Sequence, residues 1–212
     1  MDSHLLRFNS SQKYLIFDFE TESLNLCARN YPWNLGFLVW QNGKILEQHE
    51  YCPWWPDLNV SPGAAKVTRF DYKQYKSKAE DAKKILEIFE SYLYNSEYIP
   101  LGHNTHSFDA FVHNLWRRES GLPSDYSYLS RSIDTNSLAK LIKLGIKELK
   151  QSDWLTTMFR MAGFKQKGMK TNLTALGKER LIDVDYDALH ESLNDCILNA
   201  LVWEKLKWEI EI

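Results

Sequence analysis

Cysteine is scarce and scattered. Cys27, Cys52 and Cys196 are odd in number and form no C-x-x-C pair, which argues against a disulfide framework and against a zinc site built on cysteines. No apolar run approaches the roughly 20 residues needed to cross a bilayer. The opening MDSHLLRFNS has no basic segment followed by an apolar one, so neither a secretory leader nor a membrane partner is expected, and a reducing cytoplasm is the expected compartment. Internal repeats, low-complexity tracts and linkers are also missing. Charge of one sign is missing too: 26 Lys and Arg face 28 Asp and Glu, for a net charge of −2. No global field marks a nucleic-acid binder.

What remains is an ordinary globular composition, 44% apolar and 25% charged over 212 residues, which suits a single domain spanning 1–212. YLIFDFE reads as a largely buried strand. NLGFLVW and KILEQHEYC read as two more, joined through Asn42-Gly43, the strongest short hairpin signal because both residues tolerate positive φ. PWWPDLNVSPG is a loop. Ser77-Lys78-Ala79-Glu80 has the form of a capping box, and the helix it opens runs to about Tyr94, burying Ala82, Ile85, Leu86, Phe89 and Leu93 at helical spacing. YIPLGHN reads as a short strand, and a helix starts at Ser107 and ends at Gly121 and Pro123. SIDT is a further short strand; helices near 135–144 and 153–162 follow, and a last one from about Glu191 to Lys207. A three-strand meander followed by alternating strands and helices predicts an α/β fold, a mixed five-stranded sheet with helices on both faces.

The acids are the unusual feature. Residues i and i+2 of a strand share a face, so Asp18 and Glu20 project together while Phe17 and Phe19 turn away. Asp109 falls in the first turn of a predicted helix, and Asp195 falls inside the apolar LNDCILNALVWEKL. Buried acids are costly without a positive partner. Four of them from three elements suggest a divalent metal, since hard cations take carboxylate oxygens and paired ions clamp the two oxygens of a phosphoryl displacement. His190 precedes Asp195 by five residues, about 140° around a helix; the pair works together if His190 lies ahead of the helix, where it could take a proton near neutral pH.

In that order, FDFETESLN, LGHNTHSFDAFVHNLW and HESLNDCILNALVW resemble the three motifs of the DnaQ-like (DEDDh) 3′–5′ exonucleases, of the RNase-H-like superfamily. SIDTNSLAK and NLTALG resemble supporting pieces of the same family, so the resemblance runs from about Tyr14 to Leu206. It implies that Asp18, Glu20, Asp109 and Asp195 hold two divalent cations, Mg²⁺ or Mn²⁺, and that His190 is the general base. It also implies that Thr21, Leu24 (as a wedge), Asn104 and Phe108 meet the terminal nucleotides. The implied partner is the 3′ end of a single-stranded nucleic acid, DNA before RNA, with a polymerase or a second copy of the chain as further partners. RNA trimming, or a non-catalytic binding module on the same fold, are the alternatives.

Two departures stand out. Glu22-Ser23 occupies the place of the usual Thr-Gly before the wedge residue, and the interval in HNTHSFD is one residue longer than the common form, which makes His106 an alternative contact. Separately, eight Lys or Arg against two acids between Leu138 and Lys170 could hold phosphates, with Lys165, Lys167 and Lys170 the foremost candidates. Trp54 and Trp55 could stack on bases, though a loop-packing role is the simpler expectation; Trp116 and Trp203 read as core.

Overall fold

The computed structural model describes residues 5–27 and 29–212. Strands β1 (Lys13–Thr21), β2 (Pro32–Gln41) and β3 (Lys44–Trp54) form the expected antiparallel meander. The β2–β3 turn uses Asn42 at φ +48° and Gly43 at φ +77°, as the Asn-Gly signal requires. Two short helices follow, α1 (Pro62–Thr68) and α2 (Tyr72–Lys78), then β4 (Ala79–Asp81) and α3 (Ala82–Leu93). The remaining elements are β5 (Tyr98–Gly102), α4 (Asp109–Glu119), β6 (Ile133–Asp134), α5 (Thr135–Lys143), α6 (Trp154–Gly163), α7 (Leu173–Glu179) and α8 (Ser192–Leu206).

The sheet has six strands rather than the expected five, in the order β4-β3-β2-β1-β5-β6. β5 runs parallel to β1, and β6 parallel to β5. The additional strand, β4, pairs in parallel with the end of β3 and lies where a helix start was expected. Ser77 is not a cap: it sits in the last turn of α2, and its Oγ donates to the Gln74 carbonyl at 2.7 Å. Asp81 is the cap instead, accepting the Lys84 N–H at 2.8 Å. Two residues of extended chain before that cap suffice to reach the sheet edge. α4 likewise begins at Asp109 rather than Ser107, because 103–108 form a turn of their own.

Two apolar clusters lie on opposite faces of the sheet. Tyr14 and Ile16 join Leu38, Trp40, Leu198 and Trp203 on the face covered by α5 and α8. Leu15, Phe17 and Phe19 join Phe37, Phe89 and Trp116 on the face covered by α3 and α4. The strict alternation along β1 is the strand period made visible. Trp116 and Trp203 are fully buried. Among the described residues no helix is long and apolar enough to cross a membrane.

Candidate active site

Asp18 and Glu20 continue the Tyr14–Ile16 face at the C-terminal end of β1, beneath α8. Asp18 pairs with Gly36 of β2, Glu20 pairs with Asn34, and the ladder shifts register directly after Glu20. Phe17 and Phe19 enter the opposite core, as the two-residue period predicts.

Asp195 lies in the first turn of α8, not in its middle. The helix starts within one residue of where its sequence places it, so Asp195 meets the sheet at a helix N-terminus, where backbone N–H groups favour negative charge. One carboxylate oxygen each from Asp18, Glu20 and Asp195 lie within 4.8 Å of one another. Asp109, the first residue of α4, stands outside that three-way set. It is buried, and its Oδ1 has no hydrogen-bond partner.

Burial and mutual repulsion raise the affinity of this group for protons. Asp18 is held well above its ordinary value by burial, then by Asp109, Glu20 and Asp195. Glu20 is pushed up to about 8 by burial and by Asp195 and Asp109. Burial takes Asp109 to about 7, with the N–H groups of Asp109 and Phe19 pulling back. Burial raises Asp195 as well, offset by His190. Among the described residues no Lys or Arg forms an ion pair with any of the four. A set of acid oxygens with an orphaned buried oxygen and no protein cation fits a hard divalent ion.

His190 lies in the loop ahead of α8, exposed, with φ +68°. Its backbone N–H points at Asp195 Oδ1 across 3.5 Å. The five-residue offset therefore spans a bend rather than a helix turn.

The flanking positions divide. Leu24 is 87% exposed at the tip of the β1–β2 loop, while Thr21 is buried, its hydroxyl donating to the Ser23 carbonyl at 2.7 Å. Asn104 has φ +71°; its Oδ1 accepts from Ser107 Oγ at 2.5 Å and Asn136 Nδ2 at 3.3 Å. With Ser107 and Lys165 it lines a polar cleft of about 550 Å³. Phe108 is half-buried against the α3–α4 core. His106 does not offer a substrate contact: it is 1% exposed, between Ser132 Oγ at 3.2 Å and Asp134 Oδ2 at 3.5 Å.

Three supporting residues escape sequence reasoning. Asp134 accepts the N–H groups of Asn104 and His106 as well as that of Ser137 in α5; burial works against its charge, but hydrogen bonding from His106 and the nearby imidazoles keep it below its usual range. Glu22 accepts the Tyr31 N–H at 2.9 Å and the Asn59 N–H at 2.6 Å, anchoring the loop that carries Leu24. Gly36, whose bare Cα lets α8 close on β2, had a legible signal, since glycine within a strand marks close approach. Trp55 packs the loop, stacked on Tyr31 with its Nε1 donating to the Pro32 carbonyl at 2.7 Å.

The fold is a mixed α/β sheet of RNase-H-like type, with carboxylates gathered where β1 meets α8. Solved structures of exonuclease I share the fold: one matches with TM-score 0.72 at 17% identity, over 93% of this chain and 41% of its own. Escherichia coli exonuclease I in complex with a dA16 oligonucleotide matches with TM-score 0.72 at 15% identity, over 93% of this chain and 41% of its own. The zinc-bound form of the E. coli exonuclease I–ssDNA complex gives 0.70 at 15% identity, over 92% and 40%. This chain thus spans about two-fifths of the length of those proteins. No family model and no curated protein sequence matches it.

Proposed function

We propose that this chain is a single DnaQ-like domain acting as a metal-dependent 3′–5′ exonuclease on single-stranded or frayed nucleic acid, releasing nucleoside 5′-monophosphates. The observation that carries the reading is the convergence of Asp18, Glu20 and Asp195 within 4.8 Å, with buried Asp109 alongside and, among the described residues, no Lys or Arg paired with them. A repulsive group of this kind is costly in a fold unless an ion completes it.

In this reading Asp18, Glu20, Asp109 and Asp195 hold Mg²⁺ or Mn²⁺. Two such ions, when bound there, would lower the pKa of a water and favour negative charge on the leaving 3′ oxygen. His190 takes the proton of the attacking water, for which an exposed imidazole beside the acids is suited. Leu24 wedges against the terminal base, and Thr21, Asn104 and Phe108 border it. The exonuclease I structures that hold DNA oligonucleotides support DNA as the favoured substrate.

The test is digestion of matched 5′-labelled single-stranded DNA and RNA with Mg²⁺, Mn²⁺ or EDTA. A metal-dependent ladder shortening from the 3′ end is expected, faster on DNA. Absence of cleavage on either polymer in both metals would overturn the reading in favour of a binding module; faster RNA cleavage would reassign the substrate.

A further inference from the structure

Residues 62–78, which form α1 and α2, hold the cations Lys66, Arg69, Lys73, Lys76 and Lys78 against the single acid Asp71. All five are exposed, and among the described residues none forms an ion pair. The Asp71 carboxylate is engaged in capping α2, accepting the Gln74 N–H at 2.6 Å. In a chain of net charge −2 this is a concentrated, unneutralised positive surface. Aromatic rings interleave with it: Tyr72 is 50% exposed and Trp54 37%. Trp54 stacks on Tyr75 with centroids 5.9 Å apart, and Tyr75 is fixed from behind by its hydroxyl, which donates to the Pro53 carbonyl at 2.7 Å.

The position of this surface gives it meaning. Ser61, the N-cap of α1, donates its N–H to the Glu22 carbonyl at 2.8 Å, on the loop that carries Leu24. At the other end of α1 the Arg69 guanidinium donates to the Asp187 carbonyl, three residues before His190. Phe70 packs edge-on against Trp33 at 4.9 Å, next to Pro32, the ladder partner of Thr21. α1 therefore spans the mouth of the candidate site from the wedge loop to the His190 loop, and α2 leads away from it. In the basic stretch at 140–170, Lys140 donates to the Met161 carbonyl and Lys143 to the Lys170 carbonyl and Glu179, while Lys165, Lys167 and Lys170 are exposed without aromatic faces interleaved among them.

We propose that α1 and α2 form a track for single-stranded nucleic acid on the 5′ side of the reacting end, with Lys73, Lys76 and Lys78 contacting its phosphates from the two flanks of α2 and Tyr72 and Trp54 stacking on bases. Exposed cations alternating with aromatic faces suit a single strand, whose bases are open to stacking and whose backbone runs beside them. Only the strand's direction rests on the exonuclease reading; its binding does not.

The experiment is anisotropy of a 5′-labelled oligothymidylate about 20 nucleotides long, a length exceeding one aromatic-groove binding site, in EDTA over a range of salt. Wild type is compared with Lys73→Ala/Lys76→Ala/Lys78→Ala and with Tyr72→Ala. The triple variant is expected to lower the slope of log affinity against log salt by about two, roughly 0.7 for each phosphate that is no longer neutralised. Tyr72→Ala is expected to weaken binding with the slope unchanged. Hydrolysis of a thymidine trinucleotide, too short to reach α2, is expected to match wild type in both.

Unchanged affinity and slope in the triple variant would overturn the track and leave the face to an acidic protein partner or to solvent. Wild type failing to bind the long strand, or equal losses on long and short substrates, would overturn it as well. Should the slope fall while neither protein cuts, the track stands and the exonuclease reading fails. Should wild type cut and the variant bind as tightly, the reverse holds.

Discussion

Gly36 stands opposite Asp18 in the β1–β2 ladder, and α8 lies on it so closely that a Cβ there would come 2.5 Å from the Leu193 nitrogen and 2.6 Å from Ser192 Oγ. Neither neighbour yields cheaply. The first is helix backbone, and Ser192 Oγ donates to Asn34 in the buried layer beneath. Cys196 Sγ also donates to the Gly36 carbonyl at 3.3 Å. Gly36→Ala must therefore lift the start of α8 and carry Asp195 away from Asp18 and Glu20. Urea unfolding is expected to register a loss of about 1–3 kcal/mol, the usual cost of overpacking, and calorimetric titration a weaker affinity for Mn²⁺. Wild-type values for both would mean that this contact does not position the acid.

The metal-free protein should lose stability as pH rises. Folded Glu20 and Asp109 hold their protons up to about 8 and about 7, against ordinary values of 4.5 and 3.8, and Asp18 is shifted the same way. Between those limits the folded chain binds more protons than the unfolded chain, so its stability falls with increasing pH. Buried His103 acts in the opposite sense. Burial lowers it from 6.5 to about 4, so its contribution is lost as pH drops through that window. Above pH 6.5 the acids act alone. Melting temperature in EDTA is expected to fall from there to about pH 8, Asp18→Asn to flatten the decline, and Mg²⁺ to reverse it. A flat profile in EDTA would contradict the repulsive cluster.

His190 occupies left-handed backbone at φ +68°, a conformation that asparagine tolerates well. His190→Asn therefore removes the imidazole without straining the turn. The expected result is a fall in kcat of roughly 10²–10⁴-fold, the range of general-base catalysis, with unchanged melting temperature and unchanged strand binding in EDTA. Retained kcat would exclude His190 as the base.

Glu22 is buried and accepts two backbone N–H groups, from Tyr31 and Asn59, with Arg29 3.6 Å away. Glu22→Ala strands both donors and should cost about 1–3 kcal/mol. By loosening the loop that carries Leu24 it should also raise KM. Leu24→Ala is the control: with the side chain 87% exposed, stability should stay within about 0.5 kcal/mol while KM alone rises. An equal stability loss in both variants would separate Glu22 from the wedge.

Much of this architecture is legible in local patterns, and the failures are local too. The meander, the Asn-Gly hairpin and the two-faced β1 all form as the patterns predict, because each depends on a handful of adjacent residues. The cap at Ser77 failed because Asp81 competes for the same role and the intervening chain gains a strand partner in β3. The basic run at 140–170 is split by the fold: neighbouring carbonyls take up Lys140 and Lys143, while Lys165, Lys167 and Lys170 stay exposed. α1 and α2 carried no clear apolar period, since each is seven residues long and buries a single side chain, Thr68 and Tyr75 respectively.

Local sequence pattern places Asp18 and Glu20 on one face, Asp109 in the first turn of a helix after a strand, and His190 five residues ahead of Asp195. Backbone geometry sets such relations over a few residues, and no distant contact can alter them. The fold alone puts His190 in a bend ahead of α8 and makes carboxylates 177 positions apart along the chain converge. That convergence depends on α8 settling onto the bare backbone of Gly36, a close approach set by the packing of two elements and legible in neither one alone.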